Sequence, residues 1–316
     1  MGRRAGRRAP PSPLAQRAGV DAVRVRMPGD GAGRWATVRG YLLERYGPAV
    51  GAERVEAMLD AGRFVTVEGP VAAATPYEPG GWVWFHRDRA PEAVVPYAVD
   101  VVHRDERIVV ADKPHFLATT PRGRHITQTA LSRLRDSLGL PLLSPAHRLD
   151  RLTAGLVLFV VRPEDRGAYQ TLFRDRRIRK EYEGVARYDP AVRLPRTVRS
   201  RIVKEHGRMA AEEQAEGPPN AESRVELLGH RDGLGRYLLL PATGRTHQLR
   251  LHMAGLGLPL LHDPVYPRLL PEADADDWSR PLQLLAQALE FTDPLTGRAM
   301  RFESGRQLAA WPAGGA

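Results

Sequence analysis

The sequence predicts an α+β protein with a mixed, mostly antiparallel sheet and a small N-terminal α/β appendage. Three observations support this fold class. From residue 99 onward, short apolar runs and helical patterns follow each other without the regular alternation of a parallel α/β fold. The polar segment 200–225 is typical of a long hairpin or surface loop. Two helical patterns and one alternating segment lie before residue 88 and form a separate small unit.

The composition is strongly basic. The 316-residue chain carries a formal net charge of +10, and its only lysines are Lys113, Lys180 and Lys204. Excess positive charge attracts polyanions, of which nucleic acid is the commonest. A GC-rich coding sequence, which favours Arg, Ala, Gly and Pro, would give the same composition, so charge alone leaves both explanations open. The chain has no cysteine, which excludes disulfides, thiolate metal ligands and a cysteine nucleophile.

The apolar pattern indicates where the units begin and end. Residues 1–30 are rich in Arg, Pro and Gly and are predicted to be a disordered basic tail without the apolar core of a secretory signal. Residues 31–88 predict two short amphipathic helices and a strand, with Gly62 ending the second helix. This appendage either binds RNA or only packs against the main domain. The segment RAPEAVVPYA is a linker, and the main domain spans 93–312.

The main domain contains the chemically informative segments. Apolar runs predict buried strands at RIVVADKP and GLVLFVV, further strands at KEYEGVA and GRYLLLPA, and one at LQLLAQALEF. Helices are predicted at ITQTALSRLRDSLG with Gly139 at its end, at RPEDRGAYQTLFRD and at THQLRLHMAGLG. No run approaches the ~18 apolar residues of a transmembrane helix. A cytoplasmic protein is therefore expected.

The stretch SPAHRLDRLTAGLVLFVV, residues 144–161, places polar side chains directly before an apolar run. These side chains are His147, Arg148, Asp150 and Arg151. A strand end is rigid, which suits a side chain that must be aimed at a reactant. An aspartate flanked by arginines is also the usual arrangement of a weak surface ion pair. The stretch alone therefore leaves a solvated strand end and part of an active site as alternatives.

This stretch resembles the signature of the RluA-type pseudouridine synthases, an RNA-modifying family. The family pattern H-R-L-D-x-x-T-S-G-L is matched from His147 to Leu156, with Ala154 in place of the usual serine. Three further segments are similar to family motifs in the same order: IVVADKPHFLATTP (108–121), RKEYEGVA (179–186) and TGRTHQLRLHMAGLGLPLLHDPVY (243–266). The third carries Arg245, His247, Gln248, Arg250 and His252. The resemblance covers about residues 93–305. Where the family often has Leu-His-Ala, this chain has Leu284, Leu285 and Ala286, so that position is predicted to be structural.

The resemblance implies an RNA isomerase that breaks the N1–C1′ bond of uridine, rotates the base and rejoins it through C5. Because the reaction is an isomerisation, neither a metal nor another cofactor is expected. Asp150 would be the nucleophilic or charge-stabilising carboxylate, attacking either C1′ or C6. Arg245, placed opposite Asp150 by the turn TGRTH, would keep that carboxylate charged in a dry pocket. Tyr182 would stack on the uracil, and its phenol would handle the C5 proton.

The target uridine must leave its stack, which costs a few kcal/mol. The resemblance assigns the displacement of the base to Arg148, and RNA contacts to Lys180, Arg151 and His147. Lys180 is expected to orient the site or to bind a phosphate. The histidines of the motifs are expected to make structural hydrogen bonds or to contact RNA, because no carboxylate or cysteine lies at metal-ligand spacing.

Two other functions stay open. A non-catalytic RNA-binding or assembly protein on the same fold would have little need for Asp150, Tyr182 and Arg245 together. A glycosidase would need a second carboxylic acid to protonate its leaving group, and the motifs offer no obvious partner for Asp150. The sequence therefore predicts a monomeric, cofactor-free enzyme that acts on structured ribosomal or transfer RNA.

Overall fold

The computed structural model describes residues 10–31, 33–88, 91–270 and 277–312. The chain divides into two compact units between Pro91 and Glu92, inside the segment assigned above as a linker. Within the described ranges, no helix is both long enough and apolar enough to cross a membrane.

The N-terminal unit packs two helices on one face of a small sheet. Its elements are β1 (Val23–Arg26), α1 (Val38–Val50), α2 (Ala52–Asp60), β2 (Val65–Thr66), β3 (Gly69–Pro70) and β4 (Trp82–Phe85). The strand order is β1-β4-β2-β3. Thr37 caps α1, because its side chain accepts a hydrogen bond from the Gly40 amide. Both helices contribute apolar side chains to one core with β4, including Leu42, Val55 and Val83.

The prediction of a disordered segment over residues 1–30 is wrong for part of that range. Residues 23–26 form β1, which pairs antiparallel with β4 from Val23–Phe85 to Arg26–Trp82. The strand forms because Val23 and Val25 alternate with arginines and pack against the core of the unit. Residues 1–9 lie outside the described residues.

The larger unit is built on one sheet. Its strands are β5 (Asp100–Arg104), β6 (Ile108–Lys113), β7 (Ser144–Pro145), β8 (Ala154–Val160), β9 (Ile178–Arg187), β10 (Arg196–Val203), β11 (Glu212–Gln214), β12 (Ala221–Arg231), β13 (Leu234–Pro241), β14 (Leu284–Thr292) and β15 (Ala299–Glu303). Its helices are α3 (Ala130–Leu138), α4 (Arg166–Arg174) and α5 (Gln248–Gly255). The strands run in the order β11-β10-β12-β13-β9-β14-β8-β6-β5, with β15 on β14 and β7 on β8.

This arrangement confirms the predicted α+β class. The β8–β14 pair is parallel, and the other strand pairs of the described part of the sheet are antiparallel. The predicted helix ending at Gly139 is confirmed as α3, whose C-terminal glycine adopts a left-handed conformation. The polar segment 200–225 contains the hairpin formed by β10 and β11.

The central strand β8 explains the apolar run that follows Asp150. All seven of its residues are buried, because both faces of the sheet are covered. Val157 and Phe159 join the core that contains α3, whereas Leu156 and Leu158 join the core that contains Tyr169 of α4. Each such side chain contributes roughly 1.5–3 kcal/mol by burial. The loop before β8 is therefore attached to the most rigid part of the domain.

Candidate active site

The loop that carries Asp150 is held by hydrogen bonds from other segments. Thr119 Oγ1 accepts from the Leu149 amide at 3.1 Å and donates to the Leu149 carbonyl at 2.9 Å. The buried Lys113 ammonium donates to three backbone carbonyls, one of which belongs to Arg151, directly after Asp150. The backbone on both sides of Asp150 is thus restrained, which aims its carboxylate.

The carboxylate of Asp150 faces a buried cation. Its Oδ2 lies 3.8 Å from Arg250 Nη1, and its side chain is 30% exposed. Arg250 is held in turn by Asp263, with Nε to Oδ2 at 2.7 Å and Nη2 to Oδ1 at 2.6 Å. Burial alone would lower the pKa of the guanidinium, but the hydrogen bonds that it donates to Asp263 and the charges of Asp263 and Asp150 outweigh burial and raise that pKa. Arg250 is therefore a fixed positive charge beside Asp150.

A neutral imidazole lies on the same side of the carboxylate. His247 Nε2 is 3.9 Å from Asp150 Oδ2, and its Nδ1 is 2.9 Å from the Tyr266 hydroxyl. Burial lowers the pKa of His247 to about 4, with Asp150 acting in the opposite direction. The ring is neutral at pH 7, so the positive charge next to Asp150 comes from Arg250.

The prediction that Arg245 lies opposite Asp150 is wrong. The Arg245 side chain is exposed, and its Nε donates to the Asn220 carbonyl at 3.2 Å. Arg245 belongs to the turn before α5, whereas Arg250 lies inside that helix on its buried side. The turn therefore presents Arg245 to solvent, and the helix directs Arg250 inward. Both residues line the same cavity as Asp150.

Tyr182 and Lys180 line this cavity from β9. Burial, followed by the charge of Asp150, raises the pKa of the Tyr182 phenol well above its ordinary value. The hydroxyl therefore stays protonated and does not act as a base before the reaction begins. Lys180 Nζ donates to the Thr243 carbonyl at 2.9 Å. Burial and then Arg176 lower the pKa of Lys180 to about 8, so it is still largely a cation at pH 7.

His147 makes structural contacts, which were one of the two expectations for the motif histidines. Its ring stacks on Phe173 at 4.2 Å, and its Nε2 accepts a hydrogen bond from the Leu158 amide at 3.1 Å. Burial lowers the pKa of His147 to about 3, with Lys180 as the second cause. Because the ring is neutral, stacked on Phe173 and hydrogen-bonded to β8, it anchors the loop to that strand.

The two arginines beside Asp150 occupy different positions. Arg148 is exposed and lines the cavity. Arg151 is partly buried and is not part of the described cavity lining. Its carbonyl accepts a hydrogen bond from Lys113 at 3.3 Å, so its backbone helps to fix the loop.

The cavity in front of Asp150 has a volume of about 100 Å³, several times that of one water molecule. A larger cavity of about 340 Å³ is lined by Glu183, Arg236 and Arg306, among others. Glu183 points to the face of β9 opposite Tyr182, and it pairs with Arg236. The smaller cavity is the better candidate because it joins a partly exposed carboxylate to a fixed cation.

In the described ranges, no group of three or more His, Cys, Asp or Glu side chains is placed to hold a metal ion.

Sequence reasoning missed the parts of the site that depend on burial. Arg250 stood in the third motif without a role, and Asp263 lay unassigned in the same segment. Lys113 had no role in the segment 108–121, yet it is fully buried, and burial lowers its pKa to about 7. The available signal was a charged residue inside the apolar pattern of a helix or strand, which is rare unless the charge is paired.

The comparisons with known proteins identify the family and cover the segment that carries this site. A family model described as RNA pseudouridylate synthase matches residues 107–255, which include Asp150, Tyr182 and Arg250. The dual-specificity RNA pseudouridine synthase RluA of Pasteurella multocida (strain Pm70) is 34% identical over 66% of this chain and 93% of its own length. The RluA of Haemophilus influenzae is 31% identical with the same coverage.

A solved structure shows the same fold. The human RNA pseudouridylate synthase domain containing 1 superposes with a TM-score of 0.54 at 24% identity, covering 68% of this chain and 86% of its own. Since a relative at 34% identity is covered over 93% of its own length, the family assignment follows. The chain belongs to the RluA-type family of RNA pseudouridine synthases, which are isomerases.

Proposed function

We propose that this protein converts uridine to pseudouridine in structured ribosomal or transfer RNA, as a monomer without a cofactor. Asp150 is the catalytic carboxylate in this proposal, and the target base is flipped out of its helix. The observation that carries it is the Asp150 carboxylate in a cavity, 3.8 Å from buried Arg250 and with Tyr182 in the same lining. A relative named tRNA pseudouridine(32) synthase, from Saccharomyces cerevisiae, supports this substrate class at 28% identity.

Asp150 has the surroundings that a covalent catalyst needs. Attack at C1′ or at C6 of the uridine requires an oxygen nucleophile, and the Arg250 guanidinium lies 3.8 Å from the Asp150 carboxylate and can hold it in place. The Asp263 hydrogen bonds fix the guanidinium, so it does not have to reorganise during the reaction. A flipped base that fills the small cavity would also displace the water that could hydrolyse an intermediate.

Tyr182 is proposed to hold the flipped uracil. Its ring offers a flat surface for stacking, and its protonated hydroxyl is a hydrogen-bond donor to the base. Because the phenol is protonated, it can accept the C5 proton only after its own proton has passed to another group. Lys180, on the same strand, is proposed to orient the base or a phosphate with the hydrogens that the Thr243 carbonyl leaves available.

The exposed arginines at the cavity are proposed to contact the rest of the RNA. Arg148, which lines the cavity, is proposed to occupy the space that the flipped base leaves in the stack, since a guanidinium plane stacks well on neighbouring bases. Arg245 is proposed as a phosphate contact beside the cavity, in place of the role predicted for it next to Asp150. Arg151 is proposed to make a further RNA contact from the loop that carries Asp150.

The N-terminal unit is proposed to add further RNA contacts. Arg24 and Arg26 project from β1 on the sheet face opposite the core of that unit, and both lie over the Trp82 ring, at 5.0 and 5.9 Å from its centre. Arginines stacked on an aromatic ring form a surface that suits single-stranded or looped nucleic acid.

The test of the proposed reaction is tritium release from RNA. Ribosomal and transfer RNAs transcribed with 5-tritiated uridine lose the label when C5 becomes bonded to the ribose. We expect the natural protein to release tritium and Asp150→Asn to lose at least roughly a thousandfold in rate. RNA binding should survive in this variant, because the change removes a negative charge from the site.

The control is Asp136→Asn, which makes the same chemical change at an exposed position of α3. It should retain full activity. Near-normal turnover by Asp150→Asn would overturn the assigned role. RNA binding by the natural protein without tritium release from any of these RNAs would favour the non-catalytic alternative instead.

A further inference from the structure

The β10–β11 hairpin carries a cation that no described group neutralises. Lys204 directly follows β10, and its Nζ is covered by neighbouring atoms without any hydrogen-bond partner among the described residues. Burial and the positive charge of Arg122 both lower the pKa of Lys204. Removing an ammonium from water without a compensating partner is unfavourable, so the position is explained best if a ligand supplies the missing negative charge.

The acidic residues of the hairpin are engaged elsewhere. Glu205 and Glu212 both pair with Arg208, at 2.8 Å each. Glu213 lies 3.9 Å from the His252 ring. In the described part of the chain, Lys204 therefore has acidic neighbours along the chain but no ion pair with any of them.

Lys204 lies close to the candidate active site. Val203 pairs with Glu212 across the hairpin, and the backbone of the neighbouring Ala211 exchanges hydrogen bonds of 2.8 Å with the Tyr266 hydroxyl. The same hydroxyl is 2.9 Å from His247, which faces Asp150. In agreement with this chain of contacts, the charge of Lys204 helps to lower the pKa of His247.

A second connection reaches the other side of the cavity. The Asn220 side chain bonds the backbone of Ile202 in both directions, at 2.9 and 3.0 Å. The Asn220 carbonyl accepts from Arg245, which lines the cavity. The end of β10 is thus fixed relative to the cavity, although Lys204 does not line the cavity itself.

We infer that Lys204, with Arg122, forms a phosphate-binding site for a nucleotide next to the flipped uridine. The chemistry is that of a phosphate monoanion, and the source is a phosphodiester of the RNA chain. A cation beside the cavity, unlike one inside it, meets the backbone of the RNA and not the reacting base. This inference rests on the proposed function, because it places the RNA by the position of Asp150.

The experiment measures binding of a fluorescein-labelled 12-nucleotide oligouridylate by anisotropy, between 50 and 300 mM KCl. One lost phosphate contact lowers the slope of log affinity against log salt by about 0.7 for single strands. Lys204→Gln should show this loss. A slope difference of about 0.7 between 1 M and 0.1 M salt is a factor of about five, so this variant should bind about fivefold more weakly than the natural protein near 0.1 M salt. Lys204→Arg should retain most of the affinity.

Arg208→Gln is the matched control, because it removes the same charge from the same hairpin at a residue that two carboxylates already neutralise. It should leave the slope unchanged. Thermal melting should show that all three variants are folded, with Lys204→Gln melting no lower than the natural protein because it loses the unpaired ammonium. An unchanged slope in Lys204→Gln, or an equal loss in Arg208→Gln, would overturn the site. If inorganic phosphate stabilises the natural protein through Lys204 while the oligouridylate slope does not depend on it, a free anion is the ligand and the RNA assignment is wrong.

Tritium release separates this inference from the proposed function. We expect Lys204→Gln to raise KM about fivefold with kcat unchanged, as for a contact made equally before and during the reaction. If the natural protein shows the Lys204-dependent slope but forms no pseudouridine, the phosphate site stands and the proposed function fails. If the natural protein forms pseudouridine and Lys204→Gln has the same salt slope and the same KM, the phosphate site is refuted and the proposed function stands.

Discussion

Replacing the buried cation beside Asp150 should lower catalysis more than replacing the exposed arginine on the preceding turn. At 3.8 Å, the Arg250–Asp150 interaction is worth about 4 kcal/mol at an effective dielectric constant of about 20. Asp150 is 30% exposed, so we take about half of this value, roughly 2 kcal/mol, as the contribution of Arg250 to holding the carboxylate in its inward-facing position. A loss of that size corresponds to about a 30-fold decrease in kcat.

The variant must not leave Asp263 charged and unpaired in the interior, which would destabilise the fold by about 3–5 kcal/mol. We therefore combine Arg250→Met with Asp263→Asn, whose amide oxygen can still accept from the Val265 and Tyr266 amides. The assay is tritium release under saturating RNA, with thermal melting to show that the variant is folded.

Arg245→Met is the comparison, because this side chain is exposed and its Nε donates to the Asn220 carbonyl. It should raise KM a few fold and leave kcat unchanged. A folded double variant whose kcat stays within about threefold of the natural protein would refute the role of Arg250. A larger kcat loss in Arg245→Met than in the double variant would restore the arrangement predicted from the sequence.

Two further predictions concern stability. Burial lowers the pKa of four histidines, to about 3 for His147 and to about 4 for His115, His247 and His252. The histidines of the unfolded chain bind protons below their ordinary pKa of about 6.5, whereas those of the folded chain do so only near pH 4. The free energy of unfolding therefore decreases as the pH is lowered from about 6.5 to 4. Guanidinium unfolding at pH 6 and pH 5 should differ by about 4 kcal/mol, and a difference below about 1 kcal/mol would contradict this. Gly155 has a φ of +111°, and a Cβ there would lie 2.6 Å from the Ala286 amide nitrogen, so Gly155→Ala should destabilise by about 3 kcal/mol or more. Gly167→Ala in α4, where nothing lies near the added atom, should be neutral or stabilising in the same unfolding assay, and equal losses at both sites would refute the steric argument.

The sequence by itself determined the features that depend on residues close together in the chain. The apolar run after Asp150 required a strand buried on both faces, and β8 is such a strand. The ordered motifs around Asp150, Tyr182 and the TGRTHQLR segment identified the family, because each motif is a local pattern. The helix ends, such as Gly139 after α3, were also predictable, since a helix is ended by its own neighbouring residues.

Only the tertiary structure decided which of the motif residues face each other. Arg245 and Arg250 have the same side chain and are close in sequence, but α5 buries Arg250 and the preceding turn exposes Arg245. His147 carries the same side chain as any RNA-contacting histidine, yet Phe173 and the Leu158 amide, both remote in the chain, enclose it. The Arg-rich composition of residues 1–30 predicted a disordered tail, but residues 23–26 form β1 because β4 pairs with them. The physical reason is the same in each case: burial and charge pairing are set by partners that the local sequence does not contain.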